Sequence, residues 1–319
     1  MQRRDILRYA GALGLLSVSG LQGCSSPGTL LCGAHPWIGY ESLYLADQFG
    51  WFGSNVQLVR GNTSADSISG LVSGKLSAAA LTLDEVLRVR ADGVPLTVCA
   101  VMDVSAGADA LVVRDGITAL GQLRGKRIAV EQSALGAMML ARILEVAELS
   151  SDDVDIVDLR IDQQIDAWRE NRIDGAVSYE PTVSRLLAEG AIRLFDSRQL
   201  PDTIFDVLAV DSRTRFHQGV RDLVIGHFRG LHHLLHNNHD AIYRVATHQN
   251  IEPAQVRSAL AGVMFPDVAT NYRYMASASV LRQAAERLNS VMVRDGFLSR
   301  ADNLDQLFDD RWLPAGGRV

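Results

Sequence analysis

The residues that could do chemistry in this 319-residue chain are carboxylates, aromatics and hydroxyls gathered in short loops. Each loop follows an apolar run and precedes a helical pattern. The segments are His35-Pro36-Trp37-Ile38-Gly39-Tyr40-Glu41-Ser42, Gly61-Asn62-Thr63-Ser64-Ala65-Asp66, Leu81-Thr82-Leu83-Asp84-Glu85 and Glu131-Gln132-Ser133-Ala134-Leu135-Gly136. A helix start presents free backbone N–H groups, which suit an anionic or carbonyl oxygen. Ser133 and the N–H groups up to Gly136 form one such start. Trp37 and Tyr40, with Gly39 between them, offer a stacking wall for a planar or cationic group. Thr63 and Thr82 add hydroxyls, and Asp84, Asp103 and Glu180 add negative charge. This chemistry is recognition rather than bond-making: no Ser–His–Asp or paired-carboxylate arrangement stands out.

Each candidate also has a plainer use. Trp37 and Tyr40 could be core aromatics under their loop. Thr82 with Glu85 three residues on is a capping box, which gives Glu85 a structural job. Asp84 sits in the same first turn, where a carboxylate favours the helix dipole. Asp103 and Asp109 flank Ser105, Gly107 and Ala108; Asp103 is read as a holder of a ligand amine and Asp109 as structural. Ser133 is equally an ordinary N-cap. Tyr179-Glu180-Pro181 follows an apolar run, and Glu180 is expected to face a cleft. Asp206 is a weaker candidate. His232, His236 and His239 share one helix face but read as a solvated polar face, so no metal and no cofactor are expected. Cys32 and Cys99 are expected as free thiols in neighbouring buried strands.

The elements that must position these residues alternate. Short apolar runs mark strands at 29–33, 55–59, 78–81, 96–102, 110–114, 127–131, 154–159, 175–178, 192–195 and 205–210. Helical segments lie between them, which predicts an α/β fold with mainly parallel strands, buried on both faces. After Val210 the pattern turns helical, over 219–248, 253–262, 272–294 and 302–308.

Composition narrows the class. The chain is 47% hydrophobic and 21% charged, with a formal net charge of -6. That excludes a disordered chain and gives no basic block for nucleic acid. No stretch of 18 apolar residues reads as a spanning helix. Residues 1–24 read as an export signal: Arg3, Arg4 and Arg8 precede a short apolar run, and Arg3-Arg4 also fits a twin-arginine signal. Leu21-Gln22-Gly23-Cys24 resembles a lipobox, making Cys24 the expected lipidation site, with Ser25–Gly28 as a tether.

Taken in order, several motifs resemble the substrate-binding proteins of ABC importers in the nitrate/taurine/sulfonate group, which also includes binders of the thiamine pyrimidine precursor. They are Trp37-x-Gly39-Tyr40, Leu71-x-x-Gly74-Lys75-Leu76-x-Ala78-Ala79, Leu81-Thr82-Leu83-Asp84-Glu85-Val86-Leu87 and Gly93-Val94-Pro95-Leu96. Asp103-x-Ser105-x-Gly107-Ala108-Asp109, Leu123-Arg124-Gly125-Lys126-Arg127-Ile128-Ala129-Val130 and Tyr179-Glu180-Pro181 complete the series. Ser77 departs from the aspartate common there. The resemblance implies a type II periplasmic binding protein fold: an α/β architecture of two lobes with a hinge and an interlobe cleft. Lobe one is expected at 28–114 plus 206–319 and lobe two at 115–205, with hinges at 114–118 and 198–205. It implies a monomeric lipoprotein on the periplasmic face of a bacterial membrane, capturing a small ligand for a permease and ATPase by hinge closure. The candidate cleft offers Asp84, Asp103 and Glu180 and no obvious Arg or Lys, which favours a nitrogen-containing ligand. A ligand sensor for a signalling partner is the alternative. An enzyme is not expected, because the pyrimidine-synthesising relatives need a cysteine-rich run that is absent here.

Overall fold

The computed structural model of the protein describes residues 28–131, 134–214 and 216–315. The leader with Cys24, and Ser133, lie outside the described residues. The apolar runs build two sheets. The first contains β1 (Leu30–Ala34), β2 (Val56–Arg60), β3 (Ala78–Thr82), β4 (Leu96–Ser105), β10 (Phe205–Asp211) and β11 (Val263–Met264), in the order β11-β4-β10-β3-β1-β2. The second contains β5 (Asp109–Val113), β6 (Arg127–Val130), β7 (Asp155–Asp158), β8 (Gly175–Tyr179) and β9 (Ile192–Asp196), in the order β7-β6-β8-β5-β9. Helices α1 (Glu41–Gln48), α2 (Ser64–Val72) and α3 (Leu83–Ala91) belong to the first sheet's connections. Helices α4 (Ala134–Val146), α5 (Ile161–Arg169) and α6 (Thr182–Ala188) belong to the second. The remaining helices are α7 (His217–His236), α8 (Asn238–Gln249), α9 (Pro253–Leu260), α10 (Val268–Met275) and α11 (Val280–Arg294).

The apolar runs lack alternation because both faces of each sheet are covered. In β5, Leu111 and Val113 pack into one cluster while Ala110 and Val112 pack into another on the opposite side. All ten residues of β4 are buried.

Four expectations are corrected. The strands are not mainly parallel. β1 pairs in parallel with β2 and β3, as β6 does with β7 and β8, but β10 is antiparallel to β3 and β4, and β5 to β8 and β9. The reason is that β5 and β10 each arrive from the other sheet without a helical crossover, which parallel entry requires. It follows that β5 lies in the second sheet, so the first crossing is at 106–108 and not at 114–118. Residues 302–308 are not helical: Leu304 and Gln306 take positive φ, and Phe308 bridges Val98 in parallel. Cys32 and Cys99 are free and buried but not on neighbouring strands, since β3 and β10 separate them.

The second crossing runs through 197–204, and the two crossings are tied together. The hydroxyls of Ser105 and Ser197 are 2.8 Å apart, and Ser197 Oγ accepts the Gly107 N–H at 2.7 Å. Gly107 has φ +122, which only glycine adopts without strain.

Helix α7 seats on α1 through small residues. A Cβ on Gly230 would lie 1.9 Å from the Ser42 carbonyl oxygen. Backbone cannot swing away as a side-chain tip can, so Gly230→Ala is expected to cost about 3 kcal/mol by overpacking. Urea unfolding reads this directly, and a midpoint within error of wild type would refute it.

Candidate ligand-binding cleft

The cleft lies between the sheets, where the carboxyl ends of β1, β3, β6 and β8 meet the beginnings of the crossing strands β5 and β10. Strand ends and helix starts converge there, as they do on ligands in open α/β sheets. The first lobe contributes His35 and Trp37 after β1, Ser64 at the start of α2, Thr82 and Glu85 where β3 enters α3, and Asp206 from β10. The second contributes Asp109 from β5, Glu131 after β6, Leu135, Gly136 and Met139 from α4, Ile161 from α5, and Val177, Ser178 and Tyr179 from β8. They enclose about 40 Å³ for the centre of a water-sized sphere. A buried water needs roughly 10–15 Å³ on that measure, so the pocket suits a very small group.

Aromatic edges close it. Tyr179 meets Trp37 edge-to-face with centroids 5.6 Å apart, and His35 at 6.0 Å. Burial lowers His35 to about 4, so its imidazole is neutral near pH 7.

Acidic side chains dominate the wall. Glu85, Asp109, Glu131 and Asp206 all line the cavity, and no Lys or Arg does among the described residues. Burial pushes Asp109 up to about 7, with Glu180 adding to the rise against a hydrogen bond from Ser105. Burial and then Glu85 push Glu131 up to about 7, partly offset by Arg160. Asp206 is raised by burial and by Asp103, although it accepts the Tyr40 hydroxyl at 2.5 Å. The lining atoms buried without a hydrogen-bond partner include His35 Nδ1, Asp109 Oδ2 and Ser178 Oγ. Orphaned buried polar atoms are costly, and a ligand with suitable donors would relieve them.

Of the candidates from sequence, Trp37, Thr82, Gly136 and Tyr179 come together on the cavity wall. Gly39, Tyr40, Thr63, Asp84, Asp103 and Glu180 are not on the wall. They stand behind it for identifiable reasons. Asp103 accepts the Trp37 indole N–H at 3.2 Å and so fixes the indole. Gly39 makes room for that bond, since a Cβ there would fall 2.0 Å from Asp103 Oδ2. Tyr40 turns its hydroxyl to Asp206. Thr63 occupies the cap of α2, its N–H bound to Asp66 at 3.3 Å. Asp84 and Glu85 are adjacent on α3, so they point about 100° apart, and Glu85 faces the cavity. Glu180 is spent internally, accepting the Ser184 N–H at 2.9 Å and facing Arg193 at 3.3 Å.

The residues that sequence reasoning missed are His35, Ser64, Glu131 and the two acids read as structural, Glu85 and Asp109. Glu85 does cap α3, accepting the Thr82 N–H at 2.9 Å, while also lining the cavity. The available signal is position: each acid lies within three residues of the end of a strand that carries at least three consecutive apolar residues.

A family model described as NMT1/THI5 like matches residues 38–207, more than half of the chain. The chain belongs to the NMT1/THI5-like family. The taurine-binding periplasmic protein of Escherichia coli strain K12 is 29% identical over 148 residues, 46% of each chain. The chain thus spans about half the length of that curated relative. Among solved structures, the alkanesulfonate-binding protein SsuA from Xanthomonas axonopodis pv. citri bound to MOPS superposes with TM-score 0.73. It is 20% identical, over 85% of this chain and 94% of that one. The desulfurization enzyme DszB superposes with TM-score 0.63 and 18% identity, over 89% of this chain and 97% of that one. This NMT1/THI5-like chain therefore has the two-lobed α/β fold of periplasmic binding proteins, a fold that also carries an enzyme. No helix among the described residues is long and apolar enough to cross a membrane.

Proposed function

We propose that the protein is the solute-binding component of an ABC importer, and that it captures a small cationic, nitrogen-containing ligand between two lobes. The lobes are 28–105 with 205–315, and 109–196, closing about the crossings at 106–108 and 197–204. The observation that carries the ligand class is the wall itself: four carboxyl groups, two aromatic edges and no Lys or Arg among the described lining residues. At a pH where those carboxyls are ionised, a sulfonate or nitrate would meet like charge there. An ammonium or protonated ring nitrogen would meet carboxylates, which attract cations. Capture in this reading is reversible closure of the lobes about the ligand. In this reading the chain is exported and held to the membrane by a lipid on Cys24, and passes its ligand to a permease and ATPase.

The test is a thermal-shift and calorimetry screen at pH 8. Methylammonium, aminopyrimidines, nitrate and methanesulfonate are compared on residues 25–319. A ligand at 100 times its Kd stabilises by about 2.7 kcal/mol. The expected result is stabilisation by an amine or aminopyrimidine and none by the anions. Binding of nitrate or methanesulfonate with no response to any amine would overturn the reading.

A further inference from the structure

The acidic pocket is not the whole cleft. Leu135 and Met139, one helical turn apart on α4, line it on one side and line a second, larger cavity on the other. The second cavity holds about 760 Å³, the first about 40 Å³. It runs as a groove between α4 of one lobe and α11 of the other, floored by the 197–204 crossing. Its walls are apolar: Met138 and Ala141 from α4, Leu288 and Val291 from α11, Leu200 and Ile204 from the crossing. Part of the charge at its rim is paired internally, Arg142 with Glu145 and Arg294 with Asp295 at 2.7 Å, and Arg287 donates to the Asp202 backbone carbonyl at 3.3 Å. Leu135 and Met139 are shared by both cavities, and a methionine repacks easily around a guest.

From this continuity we propose that the groove is the tail subsite of the same ligand site, so that the ligand is an amphiphile with a cationic head in the acidic pocket and an unbranched apolar tail between α4 and α11. The proposal rests on the reading of the pocket as a cation site and adds the rest of the ligand. It accounts for the arrangement of the two cavities, a small head pocket beside a larger groove. It also gives the groove a place in closure, because a tail lying across it would touch both lobes.

The experiment is a chain-length series by calorimetry. Methyl-, n-butyl- and n-hexylammonium are compared with methane-, butane- and hexanesulfonate, on wild type and on Ala141→Trp and Val291→Trp. Both variants put bulk in the groove without touching the head pocket. Two are used so that one reads if the other misfolds. In wild type, ammonium affinity should rise roughly fourfold per added methylene. In both variants that gain should vanish, with methylammonium affinity unchanged. Methylammonium binding with a flat series, or a gain that survives in both variants, overturns the groove. A gain confined to the sulfonates and lost in the variants overturns the cationic head and supports the groove. No binding in either series overturns both.

Discussion

Raising the pH from 6.5 to 8 is expected to lower the melting temperature of the ligand-free protein by about 5 °C or more. The cause is the set of buried carboxyls around the cleft. Burial holds Asp109 and Glu131 up at about 7, and Asp103 at about 8 against the Trp37 donor. In the unfolded chain these groups lose their protons near pH 4. Between the two values the folded state holds protons that the unfolded state has released. Stability therefore is complete below about pH 4, falls as pH rises, and reaches its floor once the folded groups have ionised. Two buried imidazoles work the other way. His35 at about 4 and His227 at about 3 stay neutral in the fold while their unfolded counterparts take up protons below 6.5. Their contribution grows with pH only up to that point, so it does not mask the fall above it. The Arg127-paired Asp174, held at about 2, has delivered its stabilisation well below this window. Calorimetric scans at half-unit intervals test the claim. A melting temperature that is flat or rising from pH 6.5 to 8 would refute it. A bound cation should reverse the slope, because it favours the ionised carboxylates.

The same carboxyls show what sequence can and cannot reveal. Strands such as β3 and β8 are plain in sequence because burial on both faces leaves short apolar runs. The direction of a strand leaves no such trace. β5 and β10 look like their parallel neighbours, and only the crossings at 106–108 and 197–204 make them antiparallel. The site divides similarly. Trp37 and Tyr179 stand out as large aromatics where an apolar run gives way to a segment containing proline. Glu85 does not, because its capping bond to Thr82 is a sufficient explanation for its presence. The structure adds the second role, since the carboxylate that caps α3 also faces the cavity. Asp103 shows the reverse error. It has the right chemistry and the right neighbourhood, yet its carboxylate is committed to the Trp37 indole. Such commitments depend on contacts 66 residues apart in the chain, which no local pattern encodes.

Asp109→Asn separates stability from function most sharply. Asp109 is buried, one of its oxygens lacks a partner, and its charge is opposed by Glu180. The upward displacement from 3.8 to about 7 corresponds to about 4 kcal/mol of lost stability once the group is ionised. Asparagine keeps the shape and removes the charge. At pH 8 the variant should therefore be more stable than wild type, by about 2–4 kcal/mol. At pH 4, where the native group is protonated, the two should be nearly equal. Ammonium binding should move the opposite way and weaken by about 100-fold at pH 8, since the cation loses a buried charged partner. Asp174→Asn is the control of opposite sign. Arg127 holds Asp174 low, with two contacts at 2.8 and 3.0 Å, so its loss should destabilise at pH 8 and leave ammonium binding unchanged. A cleft kept acidic at a cost to the fold is what a cation site requires, because the unfavourable charge is relieved only when the ligand arrives. If Asp109→Asn destabilises the protein at pH 8, or leaves ammonium affinity intact, the carboxylate is a structural element and the cleft's charge has another purpose.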